Sequence, residues 1–137
     1  LVRTAMKSMK RIVATDLDGV LATNRHDVRQ YRPWKLHQWY GLCTPTDRCN
    51  QHYDVILTGR RIHYKKVTER WLEKNGASYD LLIMFPNTYP KNNKTLRQYK
   101  ATKINELEIG VYYEDDERIF AYLRKNCPDT IVIFVSY

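Results

Sequence analysis

The chain has 137 residues, 43% of them hydrophobic and 28% charged, which suits one domain with its own core and excludes both a two-domain protein and a disordered one. Its longest apolar run, Ile131 to Val135, is strand-sized, so no stretch of sequence is long enough to span a membrane as a helix. The formal charge of +8 favours phosphate-rich partners, with solubility as the plainer use of the same charge.

Residues 1–9 lack an apolar signal core and are expected to be a flexible tail or an appended stretch, leaving 10–137 as a single domain. The three cysteines, Cys43, Cys49 and Cys127, are an odd number without metal-ligand spacing. They read as reduced thiols of a cytoplasmic protein. A Cys43–Cys49 disulfide or zinc site lacks a second ligand pair.

In chain order, Ile12 to Ala14 is a short β-branched run that predicts a buried strand, and it ends in Asp16-Leu17-Asp18-Gly19. Ala22 to Gln30 is polar and has neither periodicity. Tyr31 to Tyr40 predicts a weak helix with Pro33 near its start, where a missing amide donor matters little. Gly41 to Gln51 is a loop, and Pro45 blocks any continued helix. Val55 to Leu57 is a second strand, leaving the sheet at Thr58-Gly59-Arg60. The charged segment from Arg61 to Asn75 places Ile62, Val67, Trp71 and Leu72 close to one helical face, and Gly76 stops it. Leu81 to Phe85 is a third strand ended by Pro86, with a turn-rich loop from Asn87 to Asn93. Thr95 to Glu108 predicts a helix with Leu96, Tyr99, Ile104 and Leu107 as its stripe, closed by Gly110. Val111 to Tyr113 is a fourth strand running into Glu114-Asp115-Asp116-Glu117. Ile119 to Lys125 is a last helix, and Ile131 to Val135 a fifth strand. Strands alternating with helices predict an α/β domain: three layers, Rossmann-like, with a central parallel sheet of about five strands.

The chemistry sits at the strand ends. Asp16 and Asp18, separated by one residue beside a glycine, repel each other unless a cation or a shared proton intervenes, and a hard divalent ion such as Mg²⁺ is the natural partner. Thr58 offers a hydroxyl, and the amides after it can hold phosphate oxygens. The acidic run at 114–117 suits either a helix first turn, where the macrodipole favours negative charge, or a metal.

Asp16-Leu17-Asp18-Gly19-Val20 resembles the first motif of the haloacid dehalogenase (HAD) superfamily. The strand ending in Thr58 is similar to its second motif. Tyr99-Lys100-Ala101-Thr102-Lys103-Ile104 is similar to its third, with Lys100 favoured over Lys103. The acidic run is similar to its fourth. The four occur in the family's order, across Lys10 to Val135. The resemblance implies a HAD fold and a Mg²⁺-dependent phosphatase. In it, Asp16 attacks phosphorus, Asp18 acts as general acid and base, and Thr58 and Lys100 neutralise the phosphoryl group. Thr58, Gly59 and Arg60 bind substrate. Asp16, Asp18, Asp115 and Asp116 are the implied metal ligands, with Glu114 or Asp116 open as the partner of Asp115. An acid two residues after the nucleophile implies phosphatase rather than dehalogenase chemistry.

The intervals between motifs leave room for a small flap, Ala22 to Tyr31, and for no large cap. An open site suits bulky substrates. Arg25, Arg29 and Arg32, with Tyr31 and Trp34 available for stacking, tip the expectation toward nucleic-acid 3′-phosphate ends or nucleotides, although core packing is the plainer role for the tryptophans. The closing segment, the acidic pair and then the helix Ile119 to Lys125, is also loosely similar to the phosphatase half of polynucleotide kinase–phosphatases, with no kinase phosphate-binding loop present. A small-molecule phosphatase and a non-catalytic nucleic-acid-binding α/β module are the alternatives. Oligomeric state is not legible.

Overall fold

A computed structural model describes the backbone of residues 11–23 and 33–136 and the side chains of 11–23 and 36–136. The elements, in order, are β1 (Ile12–Thr15), α1 (Pro33–Leu42), β2 (His52–Arg61), α2 (Lys65–Lys74), β3 (Ser78–Phe85), α3 (Asn93–Glu106), β4 (Ile109–Glu114), α4 (Glu117–Asn126) and β5 (Ile131–Phe134). The strands form one five-stranded sheet in the order β3-β2-β1-β4-β5, and every neighbouring pair is parallel. This is the Rossmann-like arrangement the alternating pattern predicts. Among the described residues there is no cap domain. The expected flap and its Arg25, Arg29, Tyr31 and Arg32 lie outside the described residues apart from Ala22 and Thr23, as does the Trp34 side chain.

Both faces of the sheet are covered, which is why its strands read as unbroken apolar runs. On one face Ala14, Val55, Leu57 and Tyr112 pack against Ala101 and Ile104 of α3 and Ile119 and Leu123 of α4. On the other, Val13, Ile56 and Tyr113 meet Leu17, Leu21, Trp71 and Leu72. Trp71 also donates its indole N–H to the Cys43 carbonyl at 2.7 Å, tying α2 to the loop after α1. Trp39 and Tyr40 are buried against Val67, so this part of the aromatic cluster is core.

Several boundaries differ from the sequence reading, two of them for clear local reasons. β2 does not end at Thr58 but runs on to Arg61. Leu57 pairs with Ile83 and Arg61 with Phe85, so extra residues are accommodated as an irregularity around Thr58-Gly59-Arg60. Gly110 is not the stop of α3. The chain turns at Glu108, whose φ of 53° is left-handed. Gly110 lies within β4, where a β-carbon would come within 3.1 Å of Arg11 Cβ.

The strand order places β1 at the centre. The chain first builds outward through β2 and β3, then crosses to the other side of β1 for β4 and β5. Between β1 and β4 the direction of winding reverses. In open α/β sheets the crevice at the carboxyl ends of such strands receives ligands.

Candidate functional site at the carboxyl edge of the sheet

Thr15 pairs with Tyr113, and the Asp16 amide extends this ladder by donating to the Tyr113 carbonyl at 3.0 Å. Asp16 therefore leaves the sheet beside Glu114, the last residue of β4. Its Oδ1 accepts the Leu17 amide at 2.8 Å, and the residue is 7% exposed.

Lys100 rises from α3 to the same point. Its Nζ lies 3.3 Å from Asp16 Oδ1 and donates to Glu114 Oε1 at 2.8 Å. The alternative lysine is elsewhere: Lys103 Nζ pairs with Glu106 at 3.3 Å on the outside of the helix. Glu114 is fully buried and fully engaged. Oε1 also accepts the Tyr112 hydroxyl at 3.1 Å, and Oε2 accepts the amides of Asp115 and Asp116, each at 3.1 Å. A buried carboxylate is tolerated only with such a set of donors. The sequence reading left Glu114 as one of two options. The signal that singles it out is the two-residue step from Tyr112, which puts both on the face that Lys100 approaches.

Asp16, Glu114 and Asp115 each place a carboxylate oxygen within 4.8 Å of the others. With all three ionised, one ammonium would leave two negative charges uncompensated. The titration behaviour follows. Burial pushes Asp16 well above the usual carboxylate range; Lys100 pulls it back, while Glu114, Asp115 and Asp18 push further. Burial, then Glu114, raises Asp115 to about 6. For Lys100, burial opposes the charge, but Asp16 and Glu114 outweigh it and hold its proton more firmly than usual. Gly19 makes the crowding sterically possible. Its φ is +85°, and a β-carbon there would fall inside the Asp115 carboxylate.

Asp16, Glu114 and Asp115 are hard oxygen donors with an excess of negative charge, a set that fits a divalent ion such as Mg²⁺. Glu114 is committed to donors of the protein, which leaves Asp16 and Asp115 as the pair to hold it. Of the other expected ligands, Asp116 caps α4, its Oδ1 accepting the amides of Arg118 and Ile119 at 2.9 and 3.0 Å. The Asp18 carboxylate is gripped by Arg60.

That grip joins the first and second motifs. Arg60 Nε and Nη2 donate to Asp18 Oδ2 and Oδ1 at 2.9 and 2.7 Å, a two-bond fork. The guanidinium is buried, lies 4.0 Å from the Tyr40 ring centroid, and donates from Nη1 to Thr68 Oγ1 at 3.2 Å. Burial opposes its charge, and Asp18 more than restores it. Thr58 is buried, and its hydroxyl oxygen accepts the Arg60 amide at 3.1 Å. Gly59 lies between Thr58 and Arg60, where a β-carbon would come within 3.0 Å of Leu96. The structure thus gathers Asp16, Lys100, Glu114 and Asp115 into one cluster, and holds Asp18 and Arg60 as a pair. A further cation, Lys91, comes from the loop between β3 and α3. Partial desolvation lowers its ammonium below the ordinary value; Asp18 opposes this, Arg61 and Arg60 add to it, and Asp16 opposes it again. No local sequence pattern marks Lys91, because the loop has no periodicity from which to infer direction.

No family model matches the chain, and no curated protein matches it. Among solved structures it is similar to a chain in a structure of the Pnkp1/Rnl/Hen1 RNA repair complex. There the identity is 22% and the TM-score 0.69, over 96% of this chain and 44% of that one. A second structure of the Pnkp1/Rnl/Hen1 complex gives 22% identity and a TM-score of 0.59, over 93% of this chain and 45% of that one. At this identity the likeness shows the fold. The chain spans less than half the length of either neighbour.

Proposed function

We propose that this chain is a Mg²⁺-dependent phosphomonoester hydrolase of HAD type, acting through an aspartyl-phosphate on nucleic-acid 3′-phosphate ends or nucleotides. The observation that carries the reading is the buried Asp16, 3.3 Å from the Lys100 ammonium, beside Glu114 and Asp115 at the edge of the sheet. A carboxylate attacks an anionic phosphate only where positive charge cancels repulsion, and this cluster is built to collect such charge. When bound, Mg²⁺ supplies Lewis-acid neutralisation of the phosphoryl oxygens.

The remaining work falls to the chain. Asp16 attacks phosphorus with a carboxylate oxygen, while Lys100, 3.3 Å from its Oδ1, offsets the negative charge. The phosphorus–oxygen bond to the leaving group breaks, and that oxygen takes a proton from Asp18. Water then attacks the phosphorus of the aspartyl-phosphate and passes a proton to Asp18. Inorganic phosphate leaves and Asp16 is regenerated. Each proton moved by Asp18 displaces one bond of the Arg60 fork, so Arg60 is a positioning residue for that carboxylate. Thr58 and Lys100 stabilise the transferring group.

For substrate, three observations point the same way: the charge of +8, the absence of a cap among the described residues, and the likeness to chains of an RNA repair complex. The test has two stages. Hydrolysis of p-nitrophenyl phosphate should require Mg²⁺ and vanish in Asp16→Asn; wild-type turnover in that variant defeats the chemistry. A panel of 3′-phosphorylated oligonucleotides, nucleoside monophosphates, sugar phosphates and a phosphopeptide then ranks substrates. Preference for sugar phosphates defeats the nucleic-acid assignment and leaves the small-molecule phosphatase.

A further inference from the structure

The opposite, amino-terminal edge of the sheet carries a second set of ligating groups. β2 and β3 begin there, with His52 paired to Ser78. His52 Nε2 lies 3.5 Å from Asp80 Oδ2 and 3.8 Å from Asp54 Oδ1. The three ligand atoms lie within 4.8 Å of one another. These separations are long for charge-assisted hydrogen bonds, which close to about 2.7–2.9 Å. They approach the ligand–ligand edge of a tetrahedral ion, about 3.3 Å for bonds of about 2.0–2.1 Å.

Two contacts outside the trio aim it. His52 Nδ1 meets Ser78 Oγ at 2.6 Å, which fixes the ring and leaves Nε2 toward the carboxylates, as hydrogen bonding orients a metal-bound histidine. Asp54 Oδ2 accepts the Val13 amide of β1 at 2.7 Å, which leaves Oδ1 toward His52. The side chains are 50%, 39% and 70% exposed for His52, Asp54 and Asp80, so an ion from solvent reaches them. His52 and Asp54 stand on β2, and Ser78 and Asp80 on its paired neighbour β3.

We propose that His52, Asp54 and Asp80 bind a divalent transition-metal ion of the Zn²⁺ class, at a site separate from the acidic cluster. Along β2, His52 and Thr58 are six residues apart, about 20 Å at the rise of a strand. The donor sets separate the two ions. An imidazole with carboxylates suits Zn²⁺, whereas the all-oxygen cluster around Asp16 suits Mg²⁺. Three protein ligands leave a fourth position for water or for a group from another molecule. The inference does not depend on the phosphatase reading.

The test is titration of the full chain with Zn²⁺ in excess Mg²⁺, read by the ring ¹⁵N resonances of His52 and by calorimetry. The expected result is a shift of the His52 Nε2 resonance and one Zn²⁺ equivalent that Mg²⁺ does not displace. His52→Ala and Asp80→Asn, both at exposed positions, should each weaken that equivalent at least tenfold, and Ser78→Ala by about tenfold. A His52 ring unmoved by Zn²⁺, or unchanged binding in His52→Ala, overturns the proposal and leaves a histidine flanked by two aspartates.

Discussion

Removing Lys100 tests whether one buried ammonium holds the acidic cluster together. In Lys100→Met the side chain keeps its length and loses its charge. Glu114, fully buried, then loses a 2.8 Å charged bond, and Asp16 loses its neighbour at 3.3 Å. Breaking a buried pair by removing one partner costs about 3–5 kcal/mol, because the remaining charge stays desolvated. For a domain of this size that lowers the melting temperature by on the order of 10–20 °C. The measurement is thermal unfolding by circular dichroism at neutral pH with a chelator present. Adding Glu114→Gln supplies the control. The amide removes the orphaned charge, so the double variant should regain at least half of the lost stability, with a large coupling energy between the two sites. Hydrolysis should fall by about 10²–10³ in both variants, since neither supplies the cation for the transferring group. A single variant melting within about 3 °C of the parent would refute the reasoning, because the ammonium would then not be compensating the carboxylates.

Stability in chelator should fall as pH rises. Asp16 and Asp115 both have folded-state values above their unfolded ones. Their contribution is complete below the unfolded carboxylate value of about 3.9 and is lost as pH climbs through the folded value, about 6 for Asp115. Mg²⁺ should flatten that slope, as should Asp115→Asn; a slope unchanged in the variant contradicts the assignment. Gly19→Ala should displace the Asp115 carboxylate and strain a backbone at φ +85°, costing about 1–2 kcal/mol and weakening Mg²⁺ activation. A Mg²⁺ dependence identical to wild type would count against Asp115 as a ligand. Arg60→Lys keeps the charge but loses the fork to Asp18. It should lower stability by about 2 kcal/mol and lower kcat more than it raises KM; an unaltered kcat removes Arg60 from the positioning of Asp18.

Much of this molecule was legible in one dimension. Apolar runs at Ile12, Val55, Leu81, Val111 and Ile131, with helical periods between them, determined an α/β chain with a parallel sheet, because strands buried on both faces need uninterrupted apolar side chains. The same pattern placed Asp16, Asp18 and the acidic run at strand ends, since a carboxylate seldom sits at the buried centre of such a strand. What the sequence could not supply was the pairing across space. That Lys100 rather than Lys103 reaches Asp16, that Glu114 is spent on Lys100 and two amides, and that Asp116 closes a helix depend on rotations of about 100° per residue, which a boundary error of one position scrambles. Arg60 gripping Asp18, and Gly19 clearing a space for Asp115, join residues more than forty positions apart. Only the strand order, with β1 between β2 and β4, brings them into one crevice. Local propensity acts over a few residues, and the charges that must cancel here belong to separate elements that meet only when the sheet has assembled.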